Sequence, residues 1–163
     1  MSKKPEKTNV MRILDRAKVN YQSYDYSATA ALSGAEVAEA LGKDPASTFK
    51  TLVTQGASKA YYVFMVPVCD ELDLKKAARA AGEKSIAMIK AKELLPLTGY
   101  IHGGCSPIGM KKQFRTFIHA SAQGFDAILF SAGKIGHQVE LSLDDLQKVV
   151  SVTPADITIG SLW

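Results

Sequence analysis

Four of the fourteen residues from Thr98 to Lys111 (TGYIHGGCSPIGMK) are glycine, and Gly103-Gly104 is the only Gly-Gly pair in the chain. Glycine reaches positive φ without steric cost and lets another molecule approach the main chain closely. Successive N–H groups of such a turn can converge on an anion or a polarised carbonyl. Pro107 stiffens the far side of the turn, and Lys111 and Lys112 place two cations at its exit. The stretch has the makings of a cradle for a carbonyl or phosphate group, although a turn that only reverses the chain is the commoner fate of such a loop. Gly104 to Gly109 has the spacing of a phosphate-binding P-loop, but that motif needs Lys directly after the second Gly and then Ser or Thr. Met110 intervenes, Lys112 replaces the hydroxyl, and the following QFRTFIH reads as a strand instead of a helix. A P-loop nucleoside triphosphatase is thereby excluded.

Three other groups bear chemistry. Lys50 stands inside the apolar strand sequence Phe49 to Val53, on the face of Leu52 and opposite Phe49, Thr51 and Val53. Lysines are rarely buried without a partner, so a wet sheet edge is the plain explanation, and a cation held at a cleft is the functional one. His102 and Cys105, three apart in the loop, invite a thiol–imidazole hydrolase. Spacing alone does not make the side chains meet, and a small apolar Cys105 in a tight turn is the favoured reading. His102, His119 and His137 have no short ligand spacing, and neither CxxC nor HExxH occurs, so no metal is expected. Tyr21, Tyr24 and Tyr26 can stack on a base, but tyrosines in strands are usually packing surface. Lys111, Lys112 and Arg115 are expected to form a basic edge beside the loop; such a run is usually only a solvated face, but next to a carbonyl cradle it could also hold RNA phosphates.

These groups must be positioned by the elements around them. Residues 1–7 read as a polar tail, and with Thr8 they make the expected flexible segment 1–8 ahead of one domain, 9–163. Thr8 or Asn9 caps a helix with Val10, Ile13, Leu14 and Ala17 on its apolar face. Residues 19–26 read as a strand with a bulge, because the apolar register shifts from odd to even. Ser33 and Glu36 form a capping box for a helix through Leu41 that Gly42 ends. Strands follow at 49–54 and 60–68, the second apolar on both faces. Asp73 caps a helix with Leu74, Ala77, Ala78 and Ala81 inward, ending at Gly82. Next come a strand at 85–89, a short helix at 91–95 stopped before Pro96, and strands at 116–119 and 125–131. A second glycine turn (131–136) leads to a strand through Leu141. Ser142 with Asp145 caps a helix carrying Leu146, Val149 and Val150, and a strand at 152–159 closes the chain. Helices interleave with hairpin-like strand pairs, which gives α+β, one domain with a large mixed sheet flanked by helices.

At 163 residues and 47% apolar composition the chain can bury a full core, and no stretch reaches the ~18 apolar residues of a membrane span. The first residues have no apolar core of a secretory signal. Two distant cysteines, Cys69 and Cys105, argue against a disulfide framework and fit a reducing cytoplasm. A net charge of +4 permits an acidic partner such as RNA without demanding one.

Several colinear motifs together resemble the YbaK family of stand-alone aminoacyl-tRNA deacylases, relatives of the editing domain of bacterial prolyl-tRNA synthetases. They are Phe49-Lys50-Thr51-Leu52, Leu72 to Ala78 (LDLKKAA), Thr98-Gly99-Tyr100, Gly103 to Lys112 (GGCSPIGMKK) and Ser131-Ala132-Gly133-Lys134-Ile135-Gly136. The resemblance runs from about residue 10 to about 158. It implies a barrel-like mixed sheet and removal of mischarged cysteine from proline tRNA, with no metal or redox cofactor and with the substrate's own thiol displacing the ester. The implied partners are the aminoacyl-tRNA acceptor end and a prolyl-tRNA synthetase, with no DNA and no membrane. By the same resemblance Lys50 falls on the family's invariant lysine and, with Gly103 and Gly104, would be catalytic. Tyr26, Ser106, Pro107, Gly109, Ser131 and Gly133 would bind substrate, and Lys111 and Lys112 would hold tRNA. The chain departs from the family at Cys105 and His102, where aliphatic residues are common, and at Gln138, where some members carry a carboxylate. The alternative is a non-catalytic module that binds an aminoacyl or nucleotide group on a synthetase.

Overall fold

The computed structural model describes residues 7–31 and 33–160. Helix α1 (Asn9–Arg16) starts where the Thr8 side chain accepts from the Met11 N–H, and it buries Val10, Met11 and Leu14. Strand β1 (Gln22–Asp25) leads to α2 (Gly34–Ala40), whose Ser33–Glu36 capping box satisfies two end donors at once. Strands β2 (Phe49–Gly56) and β3 (Tyr61–Pro67) form an antiparallel hairpin, with Phe49 opposite Pro67 and Gln55 opposite Tyr61. Asp73 caps α3 (Leu74–Ala81), which ends on left-handed Gly82. Then follow β4 (Ile86–Met88), α4 (Ala91–Thr98), the glycine loop and β5 (Arg115–His119). Strands β6 (Ile128–Ser131) and β7 (His137–Leu141), helix α5 (Leu143–Val149) and β8 (Val152–Ala155) complete the chain.

The strands make two sheets: a mixed one in the order β4-β2-β3-β5-β8 and a three-stranded one in the order β1-β7-β6. A parallel bridge between Thr48 and Leu129 joins them without closing a barrel. The central position of β3 explains its unbroken apolar run: it is hydrogen-bonded on both edges and buried from Tyr62 to Val66. One core, shared by both sheets with α1 and α5, centres on Leu14, Phe49, Ile118, Phe130 and Leu146. A second lies under α3, where Phe64 stacks on Phe117 at 5.3 Å; truncating such a buried aromatic to Ala costs ~3–5 kcal/mol. A third, smaller cluster of Val53, Val63, Cys105, Met110 and Phe114 seats the glycine loop.

Several expectations change. The large sheet is divided in two, and β1 is only four residues long with no bulge. Its odd-numbered apolar neighbours Val19 and Tyr21 instead pack on the core from the turn after α1, where Lys18 has φ 58°. Leu74 is 40% exposed, so it does not join the inward face of α3. Helix α4 runs through Pro96 to Thr98. The missing Pro96 N–H strands only the carbonyl of exposed Lys92, and the next turn is closed by Thr98 Oγ1 donating to Leu94 O at 2.8 Å and Gly99 N–H to Leu95 O at 2.8 Å. Strand β8 ends at Ala155, and the chain beyond it is held by α3: Lys76 Nζ donates to Asp156 Oδ1 (3.1 Å), Thr158 O (2.9 Å) and Gly160 O (2.8 Å).

Candidate functional site

The two edges of β2 are unequal. β3 pairs with β2 from Phe49 to Gln55, but on the other edge β4 reaches only Thr54, Gln55 and Gly56. The Val53 carbonyl accepts from the Ile89 N–H and the Ala57 N–H donates to Ser85 O, so odd-numbered residues of β2 turn their main-chain groups toward that edge. At the start of the strand, Thr48 is bridged to β6. Thr51, between these two attachments, lines a cavity of about 220 Å³.

Lys50 and Leu52 line the cavity from β2, and Ser33, Gly34 and Val37 from the start of α2. A Cβ on Gly34 would lie 2.5 Å from Val68 Cγ1, so glycine is what lets α2 close against Val68 on this wall. His102, Gly103 and Cys105 of the glycine loop also line it, as do Tyr26 after β1, Ser131 of β6 and Gln138 of β7. Lys50 is half-buried, and its side chain has no hydrogen bond or ion pair to any described residue. Among the described residues that line the cavity there is no carboxylate. Apart from the uncommitted side chain of Lys50, the described lining holds no further lysine or arginine.

The loop is held by Tyr100. Its hydroxyl donates to Ile108 O at 2.5 Å, and its ring fills the space beside two positive-φ glycines. A Cβ on Gly109 would sit 2.8 Å from Tyr100 Oη, and one on Gly133 3.0 Å from Tyr100 Cε1. Burial, reinforced by Cys105, pushes the Tyr100 phenol up to about 12. Gly104 spends its N–H on Ile101 O at 3.0 Å. The N–H groups of Gly103 and Cys105, both on the cavity wall, donate to no described residue. They are the loop's available donors for an oxygen that gains charge.

Lys50, Gly103, Tyr26 and Ser131, all expected in the site, meet at this cavity. Gly104, Ser106, Pro107, Gly109 and Gly133 do not line it. Ser106 and Pro107 are buried in the loop, with Ser106 Oγ accepting from the Ile108 N–H at 3.3 Å, and packing against Tyr100 accounts for the two glycines. Lys111 and Lys112 are exposed at the loop's exit. Arg115 leaves the expected basic edge: it donates to Ala81 O at 3.3 Å at the end of α3 and lies over the Tyr62 and Phe117 rings. A cation there is favoured by the helix C-terminus. Tyr21 and Tyr24 are tied to Asp15 and Glu140 at 2.9 Å each, leaving Tyr26 as the tyrosine that reaches the cavity.

Cys105 and His102 share the cavity but no hydrogen bond joins them among the described residues. Burial pushes the Cys105 thiol up to about 12, so it stays protonated and a poor nucleophile. His119 lies elsewhere, buried at the end of β5, where its Nδ1 accepts from the Ile157 N–H at 3.3 Å and burial lowers its proton affinity. Among the described residues no three His, Cys, Asp or Glu side chains group to hold a metal ion. Sequence reasoning passed over Thr51 and left Gln138 open. Thr51 Oγ1 and Gln138 Oε1 are buried without a hydrogen-bond partner, and both residues line the cavity.

Residues 29–149 match the model of the aminoacyl-tRNA editing domain. The chain is 45% identical over 157 residues to EbsC of Enterococcus faecalis, named as a Cys-tRNA(Pro)/Cys-tRNA(Cys) deacylase, with 96% of each chain covered. Its fold is also similar to a solved structure described as a trans-editing enzyme for prolyl-tRNA synthetase, with TM-score 0.79, 22% identity, and 95% of this chain and 100% of that one covered. A crystal structure of a hypothetical protein superposes with TM-score 0.84 at 19% identity, covering 93% of this chain and 99% of that one. No helix among the described residues is long and apolar enough to cross a membrane.

Proposed function

The chain belongs to the aminoacyl-tRNA editing domain family, and from that premise we propose that it is a trans-editing deacylase that cleaves cysteine from mischarged tRNA(Pro) and also from Cys-tRNA(Cys). The observation that carries the site assignment is one cavity lined both by Lys50, whose side chain has no partner among the described residues, and by Gly103 and Cys105, whose N–H groups donate to no described residue, with the cavity's own thiol held protonated. The Gly103 and Cys105 N–H groups receive the ester carbonyl oxygen as it gains charge in the tetrahedral state. Lys50 grips the terminal phosphate or ribose and fixes the ester in place, contributing proximity and leaving the bond-making to the substrate. The substrate's thiol sulfur attacks its own carbonyl carbon. The carbon–sulfur bond forms, the carbon–oxygen bond to ribose breaks, and the thiol proton passes to the ribose oxygen. Water then opens the resulting thiolactone to free cysteine. Tyr26 and Ser131 close the far end around the amino acid, and Lys111 and Lys112 meet the acceptor-end phosphates. A prolyl-tRNA synthetase bound to the same tRNA supplies its selectivity. The protein acts in the cytoplasm, as one domain spanning residues 9–163.

The test is turnover. Trace protein is incubated with cysteinyl-tRNA(Pro) and with the same tRNA after alkylation of the cysteine thiol. Loss of ester far in excess of the protein present, abolished by alkylation, supports this reading. Saturable binding without loss replaces it with a binding module.

A further inference from the structure

Gln138 is 8% exposed, lines the cavity, and neither end of its amide is hydrogen-bonded to a described residue. It sits in register between Ser131 on β6 and Tyr24 on β1. Thr51 is another residue of the same lining, and its Oγ1 is equally without a partner. Buried polar atoms are normally paired, and of the three orphaned side-chain oxygens among the described residues two belong to residues of this one chamber. Resting on the deacylase reading above, we propose that Gln138, with Thr51, seats the α-amino group of the substrate, and that it takes this group as the uncharged amine.

Charge and chemistry both point to the neutral form. Lys50 already places one positive charge in the cavity, and no carboxylate lines it to balance a second. The other titratable residues that line the cavity are Tyr26, His102 and Cys105, and none of them is a carboxylate. On the sheet around Gln138, Tyr24 lies directly opposite and Glu140 two residues along. Glu140 is already engaged by Lys43 at 3.5 Å and by the Tyr24 hydroxyl at 2.9 Å. His137, Asp25 and Lys134 stand at the turn, with Asp25 bound to Ser27. A neutral amine has two N–H donors and a lone pair, and a primary amide with a hydroxyl offers acceptors and donors to match. An ammonium ion would bring a second positive charge that no carboxylate of the lining balances.

The experiment compares two non-hydrolysable probes, 3′-amino-3′-deoxyadenosine acylated through an amide bond by cysteine or by 3-mercaptopropionic acid. Both carry the thiol, and only the first has the amine. Calorimetric titration of the full chain at about pH 6 and about pH 8.5 brackets the ordinary α-amino range of about 7.7–8.0. The cysteine probe is expected to bind roughly 40- to 80-fold tighter at the higher pH, and the desamino probe equally at both. Gln138→Leu should weaken the cysteine probe about tenfold at the higher pH and spare the desamino probe, which also reports that the variant is folded. Gln138→Glu should remove or reverse the pH preference by pairing with the ammonium. A wild-type chain that binds the cysteine probe as well at low pH as at high pH overturns the proposal, as does an unchanged affinity in Gln138→Leu. Failure of the wild type to bind the desamino probe at all overturns the deacylase reading instead.

Discussion

Cys105→Ala separates an enzyme thiol from a substrate thiol. The Cys105 side chain is 7% exposed among Val53, Val63, Met110 and Phe114, and its thiol is raised from 9.0 to about 12 by burial. At about pH 7.5 that leaves about one thiolate in 30,000, about a thousandfold fewer than an ordinary thiol. Forming it would add about 6 kcal/mol to any barrier that passes through it, at about 1.36 kcal/mol per pH unit. Alanine removes the sulfur but keeps the main-chain N–H, which donates to no described residue. Deacylation of cysteinyl-tRNA(Pro) by the variant should therefore stay within about threefold of wild type. Stability should fall by about 1 kcal/mol for the lost packing, a drop of about 2–4 °C in Tm for a chain of this size. The assay is single-turnover ester loss beside a thermal melt and mass spectrometry of quenched protein. A rate loss above about a hundredfold with an unchanged melt, or an acyl group trapped on Cys105, would refute the reasoning, since neither is open to a thiol that stays protonated.

Lys50→Ala should lower deacylation by about two orders of magnitude or more, because the anchor for phosphate or ribose is lost, yet shift Tm by less than about 2 °C because no described residue depends on it; near-normal turnover would remove Lys50 from the site. Replacing Lys111 and Lys112 together by Gln should weaken tRNA turnover and flatten the slope of log kcat/KM against log salt by about 1–2, measured from low to physiological ionic strength, while small aminoacyl esters are unaffected. The loop should also be sensitive to alkali. Cys105 and Tyr100 are both raised to about 12 from 9.0 and 10.0, so between about pH 9 and pH 12 the unfolded chain has released protons that the folded chain still holds. Their contribution is complete below that window and is lost as pH rises through it; denaturant melts should show stability declining there, less steeply in Cys105→Ala, and an identical slope in the variant would contradict the burial of the thiol.

Much of the fold was legible where one residue settles a local question. Thr8, Ser33, Asp73 and Ser142 each cap the helix they precede, since a side-chain acceptor before an apolar period has few other uses. The unbroken run of β3 predicts burial on both faces, and the sheet gives it two neighbours. What was not legible depends on partners remote in sequence. Whether the strands form one sheet or two is decided by β1 choosing β7, and whether Arg115 joins a basic edge by the end of α3 at Ala81. The glycines carry the same ambiguity: a glycine reports that its backbone needs room, not what fills it. At Gly103 a Cβ would rest on the Ile135 side chain at 3.6 Å, whereas at Gly109 it would meet the Tyr100 hydroxyl and at Gly133 the Tyr100 ring. Thr51 and Gln138 were silent because a polar residue on a strand reveals nothing until its neighbours are known.

The pairing of β1 with β7 also sets an order of events as the chain is made. Tyr24 and Glu140, joined by a hydrogen bond across these strands, are separated by 116 residues. At synthesis rates of about 5–20 residues per second, β1 waits roughly 6–23 s after leaving the ribosome before its partner exists. During that interval the nascent chain can build the β2–β3 hairpin and α3 and seat the glycine loop on Val53 and Val63, since all of these precede residue 115. Ser131 and Gln138 arrive only with the second sheet. A chain stopped before them would carry Lys50 and the loop without Ser131 and Gln138, so the cavity is completed only in the closing stage of synthesis.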